Sequence, residues 1–362
     1  MKSIMDIVSL TTAEIDELMH TAMDIIANPA KYSTKCHGKK LATLFFEPST
    51  RTRLSFEAAM LELGGSVIGF SSANSSSAAK GESMADTAKV ISCYADIMAI
   101  RHPKEGAPLV ASLNSTVPVI NGGDGGHCHP TQTLADLLTI YREHGRLDNL
   151  TVGICGDLKY GRTVHSLINA LARYANVKVV LISPVELRIP DYVKHEVLDK
   201  KGMQYVETTS IEEYMDTLDV LYMTRIQQER FPDPSEYMRL KDSYILTPQK
   251  IACAKPTMRI LHPLPRVNEI SVKVDDDPRA CYFKQVFNGK VMRMALILKL
   301  LEHPYEKPSL FDKDSEYVVN EIKCTNPNCI TATEQELDHV FKVVNKQHGI
   351  CRCVYCEKQG NK

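Results

Sequence analysis

The sequence predicts an α/β protein of two doubly wound parallel-sheet domains linked by long helices, with a small cysteine-bearing domain behind them. Three observations carry this. Short apolar runs of strand length alternate with amphipathic helical stretches through the N-terminal four-fifths, the pattern of a parallel sheet covered by helices. The chain has 362 residues, more than a single core usually serves. Five of the 11 cysteines fall between Cys324 and Cys356, after a stretch rich in Pro and charge.

The elements follow in order. Ile15, Leu18, Met19, Ala22, Met23 and Ile26 recur at helical spacing, and Asn28-Pro29 closes that helix. Leu41–Phe46 reads as a buried strand, and Ser49 opens a helix to Gly64-Gly65 with Leu54, Ala58 and Leu61 on one face. Val67–Phe70 is a strand, Ser71–Gly81 a polar loop whose Ser-rich part, Ser71–Ser77, is expected to be mobile when empty, and a helix starts near Met84. Strands follow at Ile97–Ile100 and Val117–Ile120, then a Gly-rich loop at Gly122–Gly126 and a long helix over Thr131–His144. The second set comprises a strand at Leu150–Cys155, a turn at Gly156–Gly161, a helix over Thr163–Tyr174, and strands at Val177–Ile182, Val220–Met223 and Arg259–Leu261. The stretch Lys290–Glu302 is apolar nearly all round, so its helix should be buried. His303–Glu316 reads as a linker.

Composition excludes several classes. Lys plus Arg number 43 against 44 Asp plus Glu, so no bulk positive field holds nucleic acid or an anionic membrane. Anionic ligands must be captured by a few placed cations. No apolar run reaches the roughly 18 residues of a spanning helix, and no basic, then apolar leader opens the chain, so a soluble, cytoplasmic protein is expected.

Two motifs carry chemistry on their residues alone. In Phe45-Phe-Glu-Pro-Ser49-Thr50-Arg51-Thr52-Arg53 a strand gives way to a helix start dense in hydroxyls and guanidiniums. Free first-turn amides, the positive end of the helix dipole, hydroxyl donors and Arg together make a phosphate cradle. The plainer alternative is an N-capped surface helix with solvated arginines. In the tail, Cys324-x4-Cys329-x23-Cys353-x2-Cys356 has the spacing of a closed, four-thiolate structural zinc site. Cys351 is spare, and His339 and His348 are the substitute ligands. Six Lys or Arg against five Asp or Glu from Glu321 onward argue for a protein-contact module over a nucleic-acid finger.

A third motif has a rival reading. Gly156-Asp-Leu-Lys-Tyr-Gly161-Arg162-Thr163 nearly matches a nucleotide-binding P-loop, with Arg at the Lys position. Arg is not a conservative replacement there, and a planar guanidinium at a helix start better suits a carboxylate.

The stretch Pro48-Ser-Thr-Arg-Thr-Arg-Leu-Ser-Phe-Glu57 resembles the carbamoyl phosphate signature of the transcarbamoylase family. Arg101-His-Pro, His129-Pro-Thr-Gln132, Asp157–His165, Met223-Thr-Arg225-Ile-Gln227 and His262-Pro-Leu-Pro-Arg266 agree in the family's order. Together they resemble the aspartate carbamoyltransferases over about residues 1–303. The tail resembles the zinc domain of that enzyme's separate regulatory chain, here fused.

The resemblance implies carbamoyl transfer from carbamoyl phosphate to the amine of L-aspartate, giving N-carbamoyl-L-aspartate and phosphate on the way to pyrimidines. It assigns carbamoyl phosphate to Ser49, Thr50, Arg51, Thr52, Arg101, His129 and Gln132, with Ser76 and Lys80 reaching a neighbouring subunit's site. Among these, Arg51, Thr52, Arg101 and His129 act on the reacting group. Aspartate falls to Lys80, Arg162, Arg225, Gln227, Leu264 and Pro265, with a cis bond before Pro265. The ornithine relatives typically carry His-Cys-Leu-Pro in place of His262-Pro-Leu-Pro265, and they lack the Ser-plus-Lys loop.

Also implied are a homotrimer with shared sites, higher assembly through the zinc domain, and structural zinc on Cys324, Cys329, Cys353 and Cys356, with no cofactor for the chemistry. The domains are expected at 1–130 with a returning helix at 287–303 (carbamoyl phosphate), 131–286 (aspartate), 304–318 (linker) and 319–362 (zinc). The linker is too short for the nucleotide-binding domain that precedes the zinc domain in the regulatory chain.

Overall fold

The computed structural model describes residues 3–226 and 233–361 and divides into two compact units. The first joins residues 1–131 to 290–362, and the second spans 132–289.

In the first unit, α1 (Thr12–Ala27) opens on a capping box between Thr11 and Glu14 and buries Ile15, Leu18, Met19, Ala22 and Ile25. The strands β1 (Lys40–Phe45), β2 (Ser66–Phe70), β3 (Ile97–His102) and β4 (Val119–Asp124) form one parallel sheet in the order β2-β1-β3-β4. Helices α2 (Thr50–Glu62), α3 (Met84–Ser92) and α4 (Ala107–Asn114) connect them. The chain therefore goes from β1 to one side and then to the other, which makes the gap between β1 and β3 a topological switch point.

The buried face of α2 is Phe56, Ala59 and Met60 with Thr52, and Leu54 and Leu61, which share another face, are 52% and 59% exposed. The Phe56 ring sets the helix phase by packing inward, with the Arg293 guanidinium 5.0 Å from its centre. Gly122 to Asp124, expected in a loop, complete β4. They are fully buried there, because the strand is pinned by β3 on one side and by Ile4 on the other (Ile4 N–H to Val119 O, 2.9 Å; Asn121 N–H to Ile4 O, 2.8 Å). The Ser-rich loop contains two single-turn helices, Ala73–Ser75 and Ser77–Lys80.

The tail adds an antiparallel sheet, β10 (Tyr317–Val319), β11 (Val340–Asn345), β12 (Ile350–Cys353) and β13 (Gln359–Asn361), in sequence order. Its Val318, Ile330, Phe341 and Tyr355 share one hydrophobic core with Leu44, Ile100, Val110 and Val119 of the N-terminal sheet. The tail thus packs on its own chain.

In the second unit β5 (Thr151–Cys155), β6 (Lys178–Ile182), β7 (Gln204–Thr208), β8 (Val220–Met223) and β9 (Arg259–Leu261) lie parallel in the order β7-β6-β5-β8-β9. The switch point falls between β5 and β8. The strand β7 is not legible in the sequence because only Tyr205 and Val206 of its Gln-Tyr-Val-Glu-Thr are apolar. Helix α6 (Arg162–Leu171) follows β5. Two long helices, α5 (Pro130–His144) and α7 (Tyr282–Glu302), carry the chain from one unit into the other. The latter starts two turns before the expected Lys290, because Tyr282 and Gln285 are buried while Phe283, Val286 and Phe287 stay exposed, which breaks the all-apolar pattern. Among the described residues no helix is long and apolar enough to cross a membrane.

Candidate functional site

The first cluster stands at the carboxyl edge of the N-terminal sheet. Phe45, the last residue of β1, is in register with Arg101 on β3, and the Phe46 amide donates to Arg101 O at 2.9 Å. The chain then turns through Glu47-Pro48 into α2. Ser49 is its N-cap, in extended conformation and with no side-chain capping bond, so its hydroxyl is not used to close the helix start. Thr50 and Arg51 are exposed there, Ser49 is half-buried and Thr52 is buried. These are the features of an anion-binding helix terminus.

Arg101 is half-buried with its Nε donor enclosed and unbonded. One guanidinium nitrogen reaches Gly122 O at 3.4 Å and the other lies 3.4 Å from Glu47 Oε2. Burial lowers the Arg101 pKa and the Glu47 charge raises it, with a net downward shift. A buried donor without a partner is costly, and a phosphate oxygen is the acceptor that suits it.

His129 is buried just ahead of α5, at the end of the loop 124–129. Asp124 builds that loop. Its Oδ1 accepts from Asn121 Nδ2 (2.9 Å) and Cys128 N (3.0 Å), and its Oδ2 from Gly106 N (2.9 Å) and His127 Nδ1 (3.0 Å). Burial pushes the Asp124 carboxyl up, but the His127 charge and these donors together take it below the ordinary range. For His127 burial acts downward and the charges beside it upward, and the ring ends well above its ordinary value. Sequence reasoning missed Asp124, although Gly-Gly-Asp-Gly-Gly marks a backbone that must be held by something other than its side chains. Ser76 turns its hydroxyl onto Ala73 O at 2.8 Å, and Lys80 is exposed.

The second cluster stands at the carboxyl edge of the other sheet. After β5 the chain turns at Gly156 (φ +125°), where a Cβ would lie 2.3 Å from Thr224 O at the end of β8; only glycine allows so close an approach. Asp157 N donates to Thr224 Oγ1 (3.1 Å), and Arg162 begins α6. Arg225 follows Thr224, so Arg162 and Arg225 emerge on the two strands that flank the switch point, both half-buried. Gln227 lies outside the described residues. Gln132, on α5, donates from Nε2 to Asp136 Oδ1 at 2.8 Å, which leaves its carbonyl oxygen as the free acceptor. Tyr222 and Gln285 also donate to the buried Asp136.

The loop after β9 holds a cis Leu264–Pro265 bond, and Leu264 has φ +56°. His262 Nδ1 accepts from Leu264 N (2.7 Å), so its Nε2 carries the proton that goes to Glu269 Oε1 (2.6 Å). Glu269 Oε2 accepts the Val267 and Asn268 amides. This buried pair, unforeseen in the sequence, fixes the backbone around Leu264.

The third cluster is the metal candidate. The sulfurs of Cys324, Cys329, Cys353 and Cys356 all lie within 4.8 Å of one another. Cys324 and Cys356 are 3.5 Å apart and Cys329 and Cys353 4.0 Å. A disulfide requires about 2.05 Å. Four sulfurs about 2.3 Å from one ion in a tetrahedron stand about 3.8 Å apart, so this donor set fits a four-thiolate metal centre. Hydrogen bonds from its neighbours pull the Cys324 thiol down, and the same crowding pushes Cys353 and Cys356 up, so four thiolates need a cation among them. Thr331 Oγ1 donates to Cys329 Sγ at 3.2 Å, an outer-shell contact. His339 is turned to the Cys324 amide, and Cys351 bonds Gly349 O instead of joining the four.

Comparison with known proteins agrees with this geometry. Residues 2–142 match the model of the aspartate/ornithine carbamoyltransferase carbamoyl-P binding domain, and 148–300 that of the Asp/Orn binding domain. Residues 316–362 match the metal binding domain of the aspartate carbamoyltransferase regulatory chain. The catalytic subunit of aspartate carbamoyltransferase from Lachnoclostridium phytofermentans is 64% identical over 301 residues, covering 83% of this chain and 98% of that protein. That of Clostridium acetobutylicum is 62% identical over 300 residues, with the same coverage.

Among solved structures, the catalytic subunit of M. jannaschii aspartate transcarbamoylase matches with TM-score 0.78 at 50% identity, covering 83% of this chain and 98% of that one. Aspartate transcarbamoylase from Trypanosoma cruzi in complex with N-(phosphonacetyl)-L-aspartic acid matches with TM-score 0.78 at 38% identity, covering 83% and 95%. The chain belongs to the aspartate/ornithine carbamoyltransferase family and carries, fused behind the catalytic part, a metal-binding domain of the regulatory-chain type.

Proposed function

We propose that this chain is an aspartate carbamoyltransferase. The amine of L-aspartate attacks the carbonyl carbon of carbamoyl phosphate, a C–N bond forms, and the C–O bond to phosphate breaks. The departing phosphate accepts the proton that the amine loses. The observation that carries this reading is the placement of cationic groups at both switch points: Ser49–Thr52 and Arg101 at one, Arg162 and Arg225 at the other.

In this reading Ser49, Thr50, Arg51 and Thr52 hold the phosphate. Arg101 spans phosphate and carbonyl oxygen, with its enclosed Nε as the waiting donor. His129 and Thr52 donate to the oxyanion that develops as the amine attacks, and each such donor is worth about 2.7–4 kcal/mol in comparable sites. Gln132, whose amide orientation is set by Asp136, accepts from the carbamoyl NH2. Arg162 and Arg225 take the two carboxylates, assisted by Gln227 and by the backbone at Leu264 and Pro265. Two guanidiniums suit a dicarboxylate and repel the ammonium of ornithine.

Ser76 and Lys80 serve a neighbouring subunit, which calls for a homotrimer; the exposed apolar pair Leu54 and Leu61 supports a partner surface on α2. Zinc is the metal that the tail's four cysteines fit best, and it supplies cross-linking to the fold and nothing to the reaction. The boundaries proposed in the sequence analysis stand as the division of labour, and the cytoplasm, where thiols stay reduced, is the proposed location.

Steady-state carbamoylation of aspartate against ornithine is the test. Preference for aspartate by about 10³-fold or more is expected from an unpaired buried charge in the wrong complex. Equal or preferred use of ornithine overturns the assignment. So does the lack of any affinity for a bisubstrate analogue joining phosphonate to aspartate.

A further inference from the structure

One backbone amide sets the direction of a buried hydrogen-bond chain that ends at Gln132. In the second unit, α5 and the start of α7 are joined by polar side chains, Gln285 to Asp136 and Asn288 Nδ2 to Thr139 Oγ1 at 2.9 Å. Asp136 is fully buried and Gln285 is 2% exposed. The His262 amide donates to Gln285 Oε1 at 3.0 Å, so Gln285 turns its Nε2 the other way, where it donates to Asp136 Oδ1 at 2.5 Å. The same Oδ1 accepts from Gln132 Nε2 at 2.8 Å, and Oδ2 accepts from the Tyr222 hydroxyl at 2.9 Å.

A backbone N–H only donates and an ionised carboxylate only accepts, so each amide in the chain has one permitted direction. For Gln132, half-buried in the first turn of α5, that direction leaves Oε1 as the atom not held by Asp136. A side-chain amide turned by half a revolution keeps its shape and reverses its polarity, so packing alone does not hold this choice. Carbamoyl phosphate and acetyl phosphate differ in NH2 against CH3 on the carbonyl carbon. The Gln132 oxygen bonds the NH2, and before a methyl group it is left unpaired.

We propose that Asp136 and Gln285 are positioning residues that set the polarity of Gln132, and through it the selection of an NH2-bearing acyl phosphate over a methyl-bearing one. Neither touches substrate. The effect on selection rests on the reading of Gln132 as the carbamoyl contact; the direction of the hydrogen bonds does not. Exchanging the two side-chain types reverses the chain while satisfying every member. With Asp136→Asn and Gln285→Glu together, the new carboxylate at position 285 accepts from the His262 amide and from the new amide at position 136. The second N–H of that amide then meets Gln132, which must turn its oxygen inward and its NH2 to the ligand. Tyr222 still donates, now to the amide oxygen at position 136, and the net charge is unchanged. Asp136→Asn alone reverses nothing. The Gln285 donor keeps an oxygen at the Oδ1 position, and the Tyr222 hydroxyl, which also bonds Thr163, can turn to accept.

The full-length chain is tested as Asp136→Asn, as the exchanged pair, as Asp136→Ala and as Gln132→Ala. KM and kcat for carbamoyl phosphate are measured at saturating aspartate, together with the inhibition constant of acetyl phosphate as its competitor. The exchanged pair should raise KM for carbamoyl phosphate about tenfold or more and move the acetyl phosphate constant by less than about threefold. Asp136→Asn should hold the ratio of the two constants within about threefold of the parent, and Gln132→Ala should narrow it as the exchange does. A merely structural defect would weaken both ligands together.

The proposal is overturned if the folded exchanged pair keeps the parental ratio, or if Asp136→Asn alone narrows the ratio as far as the exchange does. Should the exchanged pair fail to fold, Asp136→Ala decides: it removes the acceptor that fixes Gln132, and an unchanged ratio overturns the proposal. If Gln132→Ala keeps the parental ratio, Gln132 is not the carbamoyl contact and the proposal falls with that assignment. If the unaltered chain does not carbamoylate aspartate, the functional reading itself fails, and this inference with it.

Discussion

Replacing Asp124 by asparagine is close to isosteric and removes one acceptor oxygen from a buried junction. The two carboxylate oxygens now take four donors at 2.9–3.0 Å, two on each. Whichever way the asparagine amide is turned, two of those donors face an NH2 group. At Oδ1 they are Asn121 and Cys128 N, and at Oδ2 they are Gly106 N and His127. Each stranded buried donor costs about 1–3 kcal/mol, so the expected loss is about 2–6 kcal/mol before the lost attraction to His127 is counted. The unit holding Asp124 has about 200 residues, for which 1 kcal/mol moves the thermal midpoint by about 2–4 °C. A fall of about 4–24 °C at neutral pH is therefore expected by calorimetry.

The pH dependence has a definite sign. The Asp124 carboxyl is depressed, so its stabilisation is present above the ordinary value of 3.8 and lost as pH falls through the folded value. The His127 ring is raised, so its share is complete below the ordinary 6.5 and lost as pH rises through the folded value. The gap between parent and variant should be widest between these limits. A midpoint within about 2 °C of the parent, or a gap that does not narrow in acid, refutes the account.

Two further outcomes follow from the reading of the sites. Arg51→Ala and Lys80→Ala chains should each lose about 10³-fold in kcat/KM, yet randomly mixed trimers should regain about one quarter of parental activity, because one site in four pairs an intact Arg51 with a neighbour's intact Lys80. Hybrid trimers as inactive as either parent disprove shared sites. At the His262–Glu269 pair, burial raises the Glu269 carboxyl, but the His262 hydrogen bond and the Val267 amide bring it below 4.5. Its contribution is thus present above 4.5 and fades in acid, and Glu269→Gln should cost about 1.5–3 kcal/mol at neutral pH by denaturant titration, with a shallower acid limb than the parent. An unchanged acid limb in the variant counts against the pair.

Residues proposed to touch ligand were far more legible than the residues that hold them in place. Ser49–Thr52, Arg101, Arg162 and Arg225 stand at strand-to-helix turns, where polar donors interrupt an apolar pattern, and such interruptions are visible in one dimension. Asp124, Asp136 and Glu269 are single acidic residues whose roles depend on particular partners: His127 and His262 lie close in sequence, and Gln285 lies 149 residues from Asp136. Strands β1, β3, β5, β6, β8 and β9 were readable because both their faces are covered, which makes them continuous apolar runs. The half-buried β7 and the glycine-bearing end of β4 gave no such run. Leu54 and Leu61 mark a limit of the pattern: they share one face of the helix, as their spacing implies, but that face points outward, because periodicity reports a sided helix and not what lies on that side.

The pairing of Glu47 with Arg101 shows how the cluster tolerates its own charge. Arg101 is half-buried beside the hydroxyl-rich start of α2, and an isolated guanidinium there carries a desolvation cost. Glu47 offsets part of it from 3.4 Å, but the contact leaves the Arg101 Nε donor and the Glu47 Oε2 acceptor without a hydrogen bond. The carboxylate is close enough to attract and poorly aligned to bond. A tetrahedral phosphate with several oxygens can offer what Glu47 does not, so the exchange of one anion for another need not pass through an uncompensated cation. Buried Asp124, Asp136 and Glu269 are bonded by fixed donors and act as structure, whereas the partly exposed Glu47 keeps an unbonded oxygen beside the arginine proposed to meet the phosphate.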